Sequence, residues 1–209
     1  MAAQNRRRRL IPWVALTCLL SAFHPVHGEE PRPGLEQVLE EVGIEPIARP
    51  TKAPAFALAT LEGQTVSLAD YQGRLVLLHV WATWSRQAPF EMANLEKLQK
   101  ALPEEPFTVL AVATDVAGKP AVEAFVQEYT PSVLVLLDPQ GQVPERYAVR
   151  GVPTSILIGG HGHVIGRAVG ARPWDSPSMI EALKRLVEAP GSYGIITGGA
   201  SSTTGERSR

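Results

Sequence analysis

The stretch Leu75-Val76-Leu77-Leu78-His79-Val80-Trp81-Ala82-Thr83-Trp84-Ser85-Arg86-Gln87-Ala88-Pro89-Phe90-Glu91-Met92 joins a nearly unbroken apolar run to a helical pattern. Residues 75–81 are rich in strand formers and lack polar alternation, as expected of a strand buried on both faces and central in its sheet. Beyond them Met92, Leu95, Leu98 and Leu102 recur at helical spacing until Pro103 stops the pattern. The stretch is thus a strand-to-helix unit, with aromatic and small residues at the junction.

The alternation continues outward on the C-terminal side. Residues 107–113 predict a second buried strand, and residues 120–129 a helix with Val122, Phe125 and Val126 on one face. Residues 132–137 read as a strand and 144–149 as a short helical segment. Residues 154–158 and 164–169 flank Gly159-Gly160-His161-Gly162 as a hairpin, expected to add an antiparallel edge. Met179, Ile180, Leu183, Leu186 and Val187 predict a last amphipathic helix between Ser176-Pro177 and Pro190-Gly191. On the N-terminal side, residues 56–58 and 66–68 around Glu62-Gly63-Gln64 predict another hairpin. The fold class is α/β: a mixed central β-sheet flanked by helices, with an N-terminal β-hairpin extension.

The chain has 209 residues, 44% hydrophobic and 20% charged, which suits one globular domain with appended ends. A formal net charge of −1 gives no electrostatic reason to expect nucleic acid as a partner. Basic residues concentrate only at Arg6 to Arg9, followed by an apolar run over residues 10–23 and then Val26-His27-Gly28. Charged head, short apolar middle and small-residue end predict a signal peptide at residues 1–28 and hence export to a periplasmic or cell-envelope location. The run is shorter than the roughly 20 residues a membrane span needs. Contact with a membrane would come only through an uncleaved signal or a lipidated Cys18. Residues 29–53 read as a loosely packed lead-in or linker with a short helical pattern through Leu35, Val38, Leu39 and Val42, 54–190 as the domain, and 191–209, rich in glycine, serine and threonine, as a disordered tail. Cys18 is the only cysteine, and it lies within the expected signal, where it serves as a small hydrophobe.

The order hairpin, buried strand, Trp81-Ala82-Thr83-Trp84, helix, strand, helix, strand, Gly151-Val152-Pro153-Thr154, hairpin and helix resembles the TlpA-like, redoxin (AhpC/TSA-like) branch of the thioredoxin superfamily. Trp174-Asp175-Ser176-Pro177 ahead of the last helix is similar to that family too. The resemblance covers about residues 54–189 and implies a thioredoxin-like fold and, by family, thiol–disulfide oxidoreductase activity. In the family's motif the Trp-Ala-Thr-Trp segment is followed by Cys-x-x-Cys, whereas here Ser85 and Ala88 stand at the cysteine positions. That activity needs a thiolate at a helix N-terminus and a second thiol to resolve the mixed disulfide. No catalytic residues, cofactor or metal are therefore expected, and the expected function is a redox-inactive protein that binds or scaffolds an extended segment of an extracytoplasmic protein. The alternative is the family's oxidoreductase activity; a different enzyme using Ser85 or Glu91 is a third reading, without visible partners.

The expected binding face comprises Trp84, Phe90, Glu91, Val152, Pro153 and Thr154. Val152-Pro153 resembles the family's cis-proline loop, which implies backbone groups presented to an extended segment as an added strand would use them. Phe90 reads either as apolar contact surface beside Trp84 or as core packing. Glu91 falls where the family carries a glutamate near its thiols, and it reads equally as an acid favoured by the helix dipole. Ser85 reads as a helix N-cap, the alternative being a relocated nucleophile lacking a base; Pro89 complicates that cap, the other reading being a helix that begins about one turn later with Pro89 at its first position. His79 reads as a core or sheet-face histidine. His161 and His163 lack a third ligand, which makes a metal site there a weak reading.

Overall fold

The computed structural model describes residues 34–129 and 132–188, so the expected signal and tail lie outside the described residues. The elements run α1 (Leu35–Glu41), β1 (Glu45–Lys52), β2 (Ala57–Thr60), β3 (Thr65–Ser67), a 3₁₀ turn (Leu68–Tyr71), β4 (Leu75–Trp81), α2 (Ala88–Ala101), β5 (Phe107–Ala113), α3 (Lys119–Tyr129), β6 (Leu134–Leu137), α4 (Gln142–Arg146), β7 (Thr154–Ile158), β8 (His163–Val169) and α5 (Pro177–Glu188). The eight strands form one sheet in the order β1-β8-β7-β4-β5-β6-β2-β3. β4 lies parallel to β5 and antiparallel to β7, and β5 is parallel to β6. The expected thioredoxin-like architecture, a mixed sheet flanked by helices with the β2–β3 hairpin added at one edge through β6, is present.

Period-two geometry divides the core. Leu75, Leu77 and Trp81 of β4 pack with Leu95 and Leu98 of α2, Phe125 of α3 and Leu183 of α5. Val76, Leu78 and Val80 face the other way, against Phe56, Leu58, Val143 and Tyr147. Every residue of β4 is buried, as its unbroken apolar sequence requires. Trp81 also meets Phe125 with ring centroids 4.8 Å apart. No helix among the described residues is long and apolar enough to cross a membrane.

Two expectations change here. The stretch taken as a loose lead-in is built into the fold: α1 buries Val38 and Leu39 completely, and β1 pairs antiparallel with β8. Pro46 and Pro50 hide this strand from pattern reading, yet prolines are tolerated on an edge, and the register shifts between Pro46 and Thr51. As a result β1 covers the terminal hairpin, which therefore is not the sheet's edge. The short helix expected over residues 144–149 begins earlier, at Gln142, because the Asp138 carboxylate accepts the Gln142 and Val143 amides at 3.0 and 2.8 Å.

Gly166 on β8 shows how closely the N-terminal elements approach. A Cβ there would lie 2.8 Å from Ile44 Cγ2 and 3.2 Å from Leu39 Cδ1. Gly166→Ala should therefore cost about 1–3 kcal/mol through overpacking, read as a lower urea midpoint at unchanged m-value. An unaltered midpoint would mean that α1 and β1 yield freely.

Candidate functional site

β4 ends at Trp81, and the chain turns through residues 82–87 into α2. The turn is pinned to the neighbouring strand: Thr114 donates its amide and hydroxyl to the Trp81 carbonyl at 2.9 and 3.0 Å. Thr83 donates its amide to both oxygens of the Asp115 carboxylate, at 3.0 and 3.2 Å, and its hydroxyl to one of them. These bonds hold the backbone rigidly while leaving Trp84 71% exposed. The Ser85 amide donates to the Ala82 carbonyl at 3.1 Å and the Ala88 amide to the Ser85 carbonyl at 3.0 Å, so Ser85 and Ala88 close a single turn.

Ser85 is not the helix cap. Gln87 precedes the first helical residue, without a side-chain capping bond, and Pro89 sits in the first turn of α2. Proline there has no amide to lose, so it sets where the helix starts more firmly than serine's capping preference does. Phe90, on the same turn, is 63% exposed rather than packed in the core.

The Val152–Pro153 bond is cis. Register carries this loop to the same place, because Val80 of β4 pairs with Thr154 of β7, and Thr154 with Val169 of β8. The C-terminal ends of β4, β5 and β8 and the start of β7 therefore share one end of the sheet. Trp84, Phe90, exposed Val169 and half-buried Val152 gather there. The Thr154 hydroxyl donates to the Gly151 carbonyl at 2.7 Å and the Gly170 amide to the Pro153 carbonyl at 2.9 Å. Among the described residues, nothing hydrogen-bonds the Val152 amide or carbonyl. On its other side Trp84 borders a shallow groove of about 390 Å³ shared with Arg86, Phe125, Glu128 and Tyr129.

Of the expected face, Glu91 and Thr154 turn inward, each 1% exposed. Pro153 is buried as well, so this loop can offer a partner only its Val152 backbone and side chain. Glu91 lies under the turn, where its Oε2 is 3.7 Å from His79 Nε2, and its Oε1 accepts the Arg172 amide at 3.3 Å. His79 Nδ1 shares a hydrogen bond of 2.8 Å with Ser155 Oγ. Burial pushes the imidazole down to about 3 from its ordinary 6.5 and leaves it neutral. Burial also raises the Glu91 carboxyl, against the opposing pull of the Arg172 amide and the Trp174 indole. Glu91 is thus in the first turn of α2 as expected, but as a buried carboxyl facing a buried histidine and not as part of the exposed binding face.

His79 and Asp115 are the site residues that sequence reading undervalued. His79 shares strand parity with Leu77 and Trp81, which does predict that it faces α2. Nothing local reveals Asp115, whose partner Thr83 lies on another loop. Among the described residues no cluster of three or more His, Cys, Asp or Glu is placed to hold a metal ion.

Residues 50–167, which include the turn, Ser85, Ala88 and the cis-proline loop, match the AhpC/TSA family. The chain is 33% identical over 135 residues to the thiol-disulfide oxidoreductase ResA of Bacillus thuringiensis, covering 65% of this chain and 76% of that protein. It is 36% identical over 133 residues to the thioredoxin-like protein YneN of Bacillus subtilis, covering 63% and 75%. Among solved structures, a DsbE-type thiol:disulfide interchange protein from Chlorobium tepidum superposes with a TM-score of 0.62 at 31% identity, over 68% of this chain and 99% of that one.

Proposed function

The chain belongs to the AhpC/TSA family, in the TlpA-like redoxin branch of the thioredoxin superfamily, and from this premise we propose that it is a redox-inactive, exported member that docks an extended protein segment. The observation that carries the proposal is a preserved junction without sulfur. Trp84 and Phe90 stand exposed, the Val152 backbone is unpartnered among the described residues, and Ser85 and Ala88 follow Trp84 where the resemblance implies the family's cysteine pair. Thiol–disulfide exchange passes through a mixed disulfide, which a hydroxyl cannot form and a methyl group cannot resolve. Strand-like pairing with Val152 and burial of the two aromatic rings require no sulfur. Export rests on the arginine cluster and apolar run at residues 6–23.

Trp and Phe at the centre of an interface carry a disproportionate share of binding. Trp84→Ala with Phe90→Ala should lower recovery of the captured extracytoplasmic partner by about thirtyfold, corresponding to about 2 kcal/mol. Both side chains are exposed, so the variant should melt with the parent. Undiminished recovery by the double variant would exclude this face.

A further inference from the structure

Two arginines adjoin the docking residues along the chain. Arg86 lies in the turn between Ser85 and Ala88, and Arg150 lies two residues before Val152; both are exposed, and neither makes an ion pair or a side-chain hydrogen bond among the described residues. Most other cations of the fold are committed, the exceptions being Arg49 and Lys52 on β1, where Lys52 pairs in register with His163 at the far end of β8. Arg74, Arg146, Arg167 and Arg172 donate to backbone carbonyls, and Lys97, Lys100, Lys119, Lys184 and Arg185 pair with carboxylates.

The acids at this end do not answer the two arginines. Asp115 is occupied by Thr83 and Asp138 by the first amides of α4, Glu91 is buried, and Glu123 pairs with Lys119. Glu128 lines the groove on the α3 side of Trp84, yet it forms no ion pair with Arg86. Since the whole chain carries a net charge of −1, the positive character here is local to the face.

We propose, resting on the docking function above, that the segment seated here is an acidic peptide, with Asp or Glu side chains on both sides of an apolar anchor that meets Trp84 and Phe90. Exposed guanidiniums bind carboxylates in paired hydrogen bonds and steer an anionic partner on approach. A protein segment fits better than nucleic acid, because two cations release few counterions, while the unpartnered Val152 backbone offers strand pairing that only a polypeptide can return.

The test uses the full chain and three fluorescent probes in anisotropy titrations: the peptide Gly-Glu-Val-Phe-Val-Glu-Gly, the same peptide with Lys for both Glu, and a seven-nucleotide oligothymidylate. The acidic peptide should bind about tenfold or more tighter than the basic one at low salt, with the gap closing at high ionic strength. Arg86→Glu with Arg150→Glu should reverse that order, at unchanged thermal midpoint. If both peptides bind alike and Trp84→Ala weakens both, docking stands and the acidic preference falls. If neither peptide saturates, the docking function is removed together with this inference. Oligothymidylate binding as tight as the acidic peptide would show a general anion surface and overturn the inference alone.

Discussion

Ser85→Cys with Ala88→Cys should convert the protein into a disulfide reductase, turning over a small aromatic disulfide at least about a hundredfold faster than the parent, whose rate should equal the buffer control. The backbone geometry is ready for it. Disulfides need Cα separations of about 4.4–6.8 Å, and the bond from the Ala88 amide to the Ser85 carbonyl at 3.0 Å closes a turn of the kind that holds its ends within about 7 Å. A thiol at position 85 would sit just ahead of α2, where free amides and the helix dipole lower its pKa. Position 88 is 2% exposed, the shielded location suited to a resolving thiol. The Asp115–Thr83 and Thr114–Trp81 hydrogen bonds hold the turn whichever side chains it carries. A folded double variant without turnover would mean that more than the sulfurs has been lost. Turnover by the parent would end the redox-inactive proposal.

Acid should destabilise the fold through His79, and a variant lacking the imidazole should resist it. In the unfolded chain this group takes its proton near 6.5, whereas in the folded core it refuses one until about 3. Its contribution to stability is therefore fully present above 6.5 and is lost as pH falls towards 3, at up to about 1.4 kcal/mol per pH unit. Glu91 acts in the opposite sense. Its folded pKa is raised above 4.5, so its contribution is present below 4.5 and lost as pH rises through the raised value. Urea titrations between pH 7 and 4 should show a shallower acid limb for His79→Gln and a steeper one for Glu91→Gln than for the parent. Parallel curves for all three proteins would mean that the histidine exchanges its proton freely with solvent.

The His79–Glu91 pair also shows where pattern reading ends. β4 and α2 are legible because each obeys a short-range rule: seven consecutive apolar-dominated positions for a doubly covered strand, and leucines at helical spacing for the helix. The β2–β3 and β7–β8 hairpins declare themselves through glycine turns, with Gly63 and Gly162 at positive φ. α1 is legible in the spacing of Leu35, Val38, Leu39 and Val42, though its burial is not, and β1 escapes such rules. β1 carries two prolines and no clean alternation, and only pairing with β8 and the close approach over Gly166 give it a place.

The order of most strands and helices, the serine and alanine at positions 85 and 88 and the aromatic junction at Trp84 follow from neighbours along the chain, since periodicity and turn chemistry act over a few residues. Tertiary structure alone decided that Glu91 turns inward to His79 and that β1 pairs with β8 and covers the terminal hairpin. Those outcomes depend on which segments the sheet register and the core bring together, and contacts between residues so far apart in sequence leave no local trace in either partner.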